Sequence, residues 1–555
     1  MQTSKVFLYL ISIILITSCG LTNMASKYDT VKITTTPQIL QVHGGQVNLS
    51  LDAVFAEKYF NKKATIDFTP VLVYKDGETA FKTITIQGEE ATGGEATIFN
   101  ATGGNFKYQD AINFSEKMIN SNLELRAIAK LKDEEKILDP KSIGRGVIAT
   151  STRIKDTEEL ANNNHEYQHE TILEKSATIY FLVNQSNIRT TEKSDIDIEA
   201  LKEFAKNNYK THSIEIISYA SPEGSVNANN DVSDRRMKST LNYTKKLLKS
   251  LNVDGVDNDD LYIQKSIGED WDGFETLINK SSIKNKRQIN RIVNSINDVE
   301  VREQQIRDLA EIYDAIENNV LPQLRKATII IKSYEPKKSD NEIAKLSLAN
   351  PDSLDIKELL FSATLTNDQN HQIIIYKKAV ELYNDWRGYN NIACIHLSNG
   401  NLKKAEEYLA KAEMIQKETQ RDILTNKGIL HSRKGELKIA QKLFDQAKTS
   451  EKNQALLDIR KGEYAKAARY FKNKKNHNAT LAKLLNSNNE VRCNEANAAC
   501  HYLNAIAATR SANNEEAINH LRKAINMEAS YKNEAKQDLE FVNLKLNEDF
   551  VKLIE

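Results

Sequence analysis

Between residues 28 and 155, apolar and polar positions alternate with a period of two. VKITTTPQIL, GQVNLSL, ATIDFTPVLVY and FKTITIQG are rich in Thr, Val and Ile and present one apolar face each. NLELRAIAKL places Leu123, Leu125, Ala127, Ala129 and Leu131 on a single face. Asp76-Gly77, Gly93-Gly94 and Gly103-Gly104 punctuate the runs as turns. No GK[ST] follows the glycine pairs, so they do not read as phosphate loops. The pattern predicts an antiparallel β-sandwich over 28–155, with 156–175 as a polar linker.

From residue 176 the period changes repeatedly. ATIYFLVNQS, HSIEIISYAS, LYIQKSIG and RKATIIIK predict four strands. DIDIEALKEFAKNN predicts a helix with Ile198, Leu201 and Ala205 inward. DRRMKSTLNYTKKLL predicts another, with Met237, Leu241, Thr244 and Leu248 at helical spacing, and a mostly helical stretch fills 270–322. This is an α+β domain over 176–334, followed by a linker at 335–352. Residues 353–535 are helical and repetitive. In WRGYNNIACIHLSNGNLKKAEEYLAKAE, small residues stand at Ala393, Gly400, Ala405 and Ala412, with Leu409 between them. Gly428, Gly435, Ala440, Phe444 and Ala447 repeat those places 35 residues on. Degenerate copies carry Gly462, Ala467 and Phe471, then Ala517, Leu521 and Ala524, and a leading copy, IKELLF…IIIYKKAVELYND, carries Tyr376 and Ala379. The expected class is therefore multidomain: an all-β sandwich of immunoglobulin-like type, an α+β domain and an α-solenoid.

Composition changes this picture little. Lys+Arg and Asp+Glu both number 76, so the formal net charge is zero, and no long basic run is present to neutralise phosphates. Nucleic-acid binding is not expected. The N-terminus adds more. MQTSKVFLYLISIILITSCG carries one early lysine and an apolar run from Val6 to Ile16, too short for a permanent span and suited to a signal peptide over 1–18. Ile16-Thr17-Ser18-Cys19-Gly20 resembles a bacterial lipobox, which implies lipidation of Cys19 and anchoring at the outer membrane. Of the other cysteines, Cys394 follows a small repeat position and is expected to be packed. Cys493 and Cys500 leave two readings. On one continuous helix they are about 10 Å apart, so a disulfide requires Cys493 to lie off the helix; free thiols are the expectation carried forward.

Two resemblances follow from the motifs. SYASPEGSVNANNDVSDRRM, residues 218–237, resembles the motif G-[HY]-T-D-x-x-G, N-x-x-L-S-x-x-R-A of OmpA-type C-terminal domains, with Tyr219, Gly224, Asn229, Val232, Ser233 and Arg236 on pattern. The resemblance covers 176–334 and implies non-covalent binding of peptidoglycan. In that family the Asp pairs with the ammonium of the stem peptide's diaminopimelate, and the Arg with a carboxylate. The implied ligand residues are Arg236, Asn229 and Ser233, with Ser221 where the family has Asp. Serine cannot neutralise an ammonium, so Glu223 in S-P-E-G is the substitute, or else a surface residue of the turn. S-P-E-G resembles the form found in Bacteroidetes-type bacteria. The 35-residue spacing in the helical region resembles tetratricopeptide repeats, which implies a surface for an unidentified protein partner.

One motif points elsewhere. His165, Glu166 and His169 spell the H-E-x-x-H of zinc proteases, which needs a buried amphipathic helix to bring both histidines to one metal. Three asparagines precede it and a strand follows closely, so no such helix is predicted. Neither enzymatic activity, a cofactor nor a metal site is expected. The reading is an envelope lipoprotein facing the periplasm, scaffolding through its repeats and bound to the wall through its OmpA-like domain. The alternative is a docking subunit of a secretion or fimbrial assembly without wall binding.

Overall fold

In a computed structural model, which describes residues 20–162, 165–416 and 420–555, strands form where the alternation predicts them. Cys19 and the signal peptide lie outside the described residues. The N-terminal strands are β1 (Lys32–Thr36), β2 (Leu40–His43), β3 (Gln46–Phe55), β4 (Thr65–Tyr74), β5 (Gly77–Ala80) and β6 (Ile84–Gly88). They continue as β7 (Ala96–Ile98), β8 (Gly104–Asn113), β9 (Asn122–Leu131), β10 (Glu134–Arg145) and β11 (Val147–Ile148). One sheet runs β1-β3-β2-β11 with β8 also on β3; the other runs β10-β9-β4-β6-β7 with β5 on β4. Pairing is antiparallel except for β2/β11 and β6/β7. One core joins the two sheets. It takes Val47, Leu49 and Leu51 from β3, Ile66 and Phe68 from β4, and the predicted row Leu123, Leu125, Ala127 and Ala129 from β9.

Residues 165–365 make a compact unit of their own. Its sheet comprises β12 (Ile172–Tyr180), β13 (Thr211–Ala220), β14 (Tyr262–Glu269) and β15 (Lys326–Tyr334), in the order β12-β15-β13-β14. Only β13/β14 is parallel. Helix α1 (Ile196–Lys206) is capped by the Asp195 carboxylate, which accepts from the Asp197 amide. Its Ile198, Leu201 and Ala205 pack on Ile214, Ile216, Ile329 and Ile331 of the sheet. Helix α2 (Val226–Ser250) begins at the Ser225 cap, and its Leu248 joins the same core. The stretch between β14 and β15 forms α3 (Trp271–Lys280), α4 (Lys286–Ser295), α5 (Val299–Arg307), α6 (Ala310–Asn319) and α7 (Leu321–Leu324). These helices bury a separate cluster that includes Phe274, Ile278, Ile289 and Leu324.

The expected boundary after this unit is corrected. Residues 335–352 are not an unstructured linker: Ser339 caps α8 (Asp340–Ala349), accepting from the Glu342 amide, and Ile343 and Ser347 are buried. The segment IKELLF forms α9 (Ile356–Ser362), closed by an Asp355/Glu358 capping box, and belongs to the same unit. It is therefore not half of a leading repeat.

The other compact unit joins the N-terminal sheets to residues 366–555. Its helices are α10 (Gln369–Tyr383), α11 (Trp386–Ser398), α12 (Leu402–Ile415), α13 (Arg421–Arg433), α14 (Leu437–Ala447), α15 (Glu451–Lys461) and α16 (Tyr464–Tyr470). They continue through α17 (His477–Leu485), α18 (Ala498–Arg510), α19 (Asn514–Met527), α20 (Ser530–Gln537) and α21 (Glu548–Ile554), past the expected end at 535. The small residues of the repeat sit where helices touch. A Cβ on Gly428 would lie 2.4 Å from the Phe444 ring, so only glycine lets α14 approach α13 this closely. The sheets pack on these helices directly. Gly44, at φ +59°, sits against the Lys461 carbonyl with no room for a Cβ, and the His43 ring meets Tyr464 edge-on at 4.9 Å.

Cys493 and Cys500 are joined as a disulfide, which overturns the expectation of free thiols. Cys493 lies in the loop ahead of α18 and Cys500 in its first turn, with Cα atoms 5.4 Å apart. With both sulfurs in that bond, neither is a ligand beside the neighbouring Glu495.

Candidate functional site

The five residues implied by the OmpA resemblance gather where β13 ends and α2 begins, and each is committed internally. Arg236 is only 1% exposed. Its Nε donates to the Gln185 carbonyl at 3.0 Å, Nη1 to Tyr219 at 2.9 Å and Nη2 to Leu182 at 3.2 Å. Burial, with Arg325 adding like charge, lowers its pKa to about 10. Ser233 is fully buried; its hydroxyl bonds the Ser218 carbonyl and accepts from the Gly268 amide. These two residues fasten the strand–helix junction. Ser221, also buried, donates to Glu223 at 2.6 Å. Glu223 is neither a free turn residue nor a free substitute for the missing Asp, because Arg325 holds it through Nε at 2.7 Å and Nη2 at 3.1 Å. Asn229 donates to Glu269 at 2.8 Å. Burial, and then the charge of Glu269, pushes Glu303 of α5 up to about 7. Sequence reasoning missed Arg325 and Glu303, whose surroundings carry no motif.

The H-E-x-x-H stretch is not helical. Glu166 has φ +56°, the Tyr167 amide donates to His165 Nδ1 at 3.0 Å, and His169 Nε2 lies 3.1 Å from an Asp340 carboxylate oxygen. Both imidazoles pack edge-on against Phe361. Without a helix at 165–169, what the two histidines share is the Phe361 ring.

The most developed binding geometry lies on the first helices of the repeats, and the connector after the sandwich occupies it. After a 3-10 turn at Thr150–Arg153, residues 154–161 cross α17, α15, α13 and α11, opposite to the order of the repeats. Asn478 accepts from the Lys155 amide at 2.9 Å and donates to the Lys155 carbonyl at 2.8 Å. Asn453 does the same to Glu159, at 2.6 and 2.9 Å, and Asn426 to Ala161, at 3.0 and 2.8 Å. Asn390 adds a second donor to the Ala161 carbonyl at 2.8 Å. At the other end His477 Nε2 lies 2.7 Å from the Arg153 carbonyl. A carboxamide offers one acceptor and two donors, so it can satisfy both main-chain groups of an extended residue whatever its side chain.

Side chains on the other register add ion pairs and apolar contacts. Arg433 bonds Glu158 at 2.6 Å, and this pair is sealed, with side chains 5% and 1% exposed. Arg460 reaches Asp156 at 2.5 Å and Glu158 at 3.4 Å. Ile154 and Leu160 pack into the hydrophobic clusters on either side. Arg153 is held by Asp538 at 2.9 Å and Glu534 at 2.7 Å and lies over the Tyr502 ring. The segment expected to be a featureless linker is thus part of the repeat surface. Its backbone amides and carbonyls find partners that an isolated polar stretch would leave to water. Cys394 lies beneath this face, with its Sγ 3.1 Å from the Asn426 amide nitrogen and its thiol pKa raised by burial.

A periodic signal for these residues was present. Asn426, Asn453 and Asn478 each stand nine positions before a left-handed turn residue, at Gly435, Gly462 and Ser487. Arg433 and Arg460 each stand two before theirs. Asn504 of α18 shows the same chemistry on a different loop, accepting from the Cys493 amide and donating to its carbonyl.

Comparison with known proteins agrees with the repeat geometry. A tetratricopeptide repeat model matches residues 387–419. The helical region is of tetratricopeptide type. Such repeats are protein–protein interaction scaffolds, so a protein partner is implied. A family described as a domain of unknown function (DUF3868) matches residues 5–93. No curated protein matches the chain. Among solved structures, the APC/C hetero-tetramer Cut9–Hcn1 is similar at 13% identity and a TM-score of 0.26, over 60% of this chain and 73% of that one. Salmonella alpha-2-macroglobulin reacted with methylamine is similar at 11% identity and a TM-score of 0.13, over 78% of this chain and 27% of that one. Neither score is high enough to carry an argument about function. Among the described residues, no helix is long and apolar enough to cross a membrane.

Proposed function

We propose that this chain is a non-enzymatic scaffold of the bacterial envelope, tethered to the periplasmic side of the outer membrane through lipid on Cys19 and engaging a protein partner through its repeats. The observation that carries the scaffold reading is the asparagine face, which already holds an extended segment by its main chain. Support for the anchor is the Ile16–Gly20 sequence itself. In-cell crosslinking with identification of partners tests the scaffold. Partners are expected to be lost from an Asn426→Ala/Asn453→Ala chain, and an unchanged partner set would remove the repeats from the proposal. Metabolic labelling with a fatty-acid analogue tests the anchor, with Cys19→Ser expected to lose the label.

Wall binding by the OmpA-like unit rests on the motif at 218–237. The burial of Arg236 and the Glu223–Arg325 pair instead favour the docking alternative, in which this unit contacts another envelope protein. Retention of the intact protein on purified peptidoglycan sacculi separates the two. Retention that Glu269→Gln weakens would support wall binding, and absence of retention would leave the docking reading.

A further inference from the structure

We propose that the asparagine face is an exchange site for acidic extended segments, and that residues 153–161 are its resident occupant, displaced by an outside polypeptide carrying the same pattern. This rests on reading the repeats as the interaction module. It depends on neither the lipid anchor nor wall binding.

The pattern follows from the register. In an extended segment alternate side chains share a face. Ile154, Asp156, Glu158 and Leu160 therefore point one way, and these are the four side chains that meet apolar clusters or arginines. The main-chain groups of Lys155, Glu159 and Ala161 are those the asparagines read. The face thus takes aliphatic-x-acid-x-acid-x-aliphatic, and of the intervening side chains Thr157 adds a hydroxyl that accepts from Asn478 at 2.9 Å. No contact depends on the occupant being covalently joined to the sandwich. The Asp156 side chain is still 44% exposed, and Thr157 and Glu159 are exposed, so the middle of the segment is open to an incoming chain. The tether favours the resident, because an intramolecular ligand acts at an effective concentration in the millimolar range. An outside partner succeeds when it brings a second contact, or when the resident's acids are neutralised.

The probe is a fluorescent peptide of residues 152–162, TRIKDTEELAN, titrated into the full-length chain. Wild type is expected to bind it weakly. An Asp156→Asn/Glu158→Gln chain should bind it at least about tenfold more tightly, because the resident then competes poorly. Adding Arg433→Gln and Arg460→Gln should abolish that gain, as should a probe with Asn and Gln at its two acidic positions. A folded Asp156→Asn/Glu158→Gln chain that does not take the probe would make the segment a fixed strut and overturn the proposal. Binding indifferent to the arginines would overturn it too. Concentration-dependent dimerisation of the weakened chain would assign the site to a second copy rather than an outside partner. Should that chain fail to fold, Arg433→Glu supplies the second test. It repels the resident and should accept a probe with Lys in place of Glu158 while refusing the native one; the reverse preference would refute the assignment.

Discussion

Two places in this molecule use side chains to clasp main chain, and they do so to different ends. Arg236 gathers three carbonyls, from Leu182, Gln185 and Tyr219, that belong to the fold immediately around it. The asparagines of the repeats clasp a segment roughly three hundred positions away in sequence, half exposed along its length. The chemistry of the contact is the same, donors matched to carbonyls, but the accessibility differs. A buried charged group that spends its donors on the carbonyls around it is a fastener. A row of neutral amides holding a half-exposed strand, with arginines beside acids, is a binding surface that happens to be filled. The motif that reads most clearly as a ligand site is the fastener, and the polar connector is the ligand.

The largest expected effect is at Arg236. Arg236→Ala removes a side chain that is 1% exposed together with its hydrogen bonds to three carbonyls, so a loss of about 3–5 kcal/mol is expected in the unfolding of the 165–365 unit. Lysine should recover little, since one ammonium cannot reproduce a planar fork aimed at three acceptors. Urea denaturation followed by hydrogen exchange in β13 reads this directly. A near-neutral Arg236→Ala would return the residue to the ligand-binding role that its motif implies. Next in size is the sealed pair on the repeats. Glu158→Gln leaves the buried Arg433 with the more distant Asp156 and the Leu397 carbonyl, and should cost about 2–3 kcal/mol. Glu158→Gln/Arg433→Gln together should cost less than the sum of the single changes, and simple additivity would deny the coupling.

Much of the architecture was legible because it obeys a period. The row Leu123 to Ala129 is buried as its alternation requires, the four strands of the central sheet fall where predicted, and the Gly428–Phe444 contact is what a fixed glycine-to-aromatic spacing demands. What stayed hidden has no local signature. Arg236 on pattern says nothing about whether its fork faces solvent or three carbonyls, because that is settled by Leu182 and Gln185, far away in sequence. Residues 153–161 look like a linker because their partners are asparagines, which single-sequence reading assigns to turns and caps. The even spacing of Asn426, Asn453 and Asn478 ahead of the turn residues was visible, yet its meaning needs the strand that crosses them. The disulfide turned on whether Cys493 lay in the helix, a boundary that hydrophobic periodicity does not fix.

Smaller effects are expected along the clasped segment. Asn453→Ala leaves the Glu159 amide and carbonyl without their partner while keeping every charge contact. A cost of about 1–2 kcal/mol is expected, seen as roughly tenfold faster exchange of the Glu159 amide. If the segment were held only by its arginines, that amide would exchange at the wild-type rate.

The smallest effect is set by pH at the end of the segment. His477 offers Nε2 to the Arg153 carbonyl, while its Nδ1 is buried with no partner among the described residues. Burial lowers its pKa; the Arg153 carbonyl pulls the other way, and Lys155 adds to the lowering. The unfolded chain therefore takes up this proton more readily than the folded one, near the ordinary histidine value of about 6.5. Stability from the neutral imidazole is present in full above that value and is lost as pH falls through the depressed folded one. Protection of the amides at 153–155 should fall between neutral and mildly acidic pH, and His477→Gln should flatten that dependence. His501 and His520 are shifted the same way by burial, so the local readout is needed to separate them from His477. Protection that rises on acidification would mean that the protonated ring, a double donor, is what holds the segment at this end.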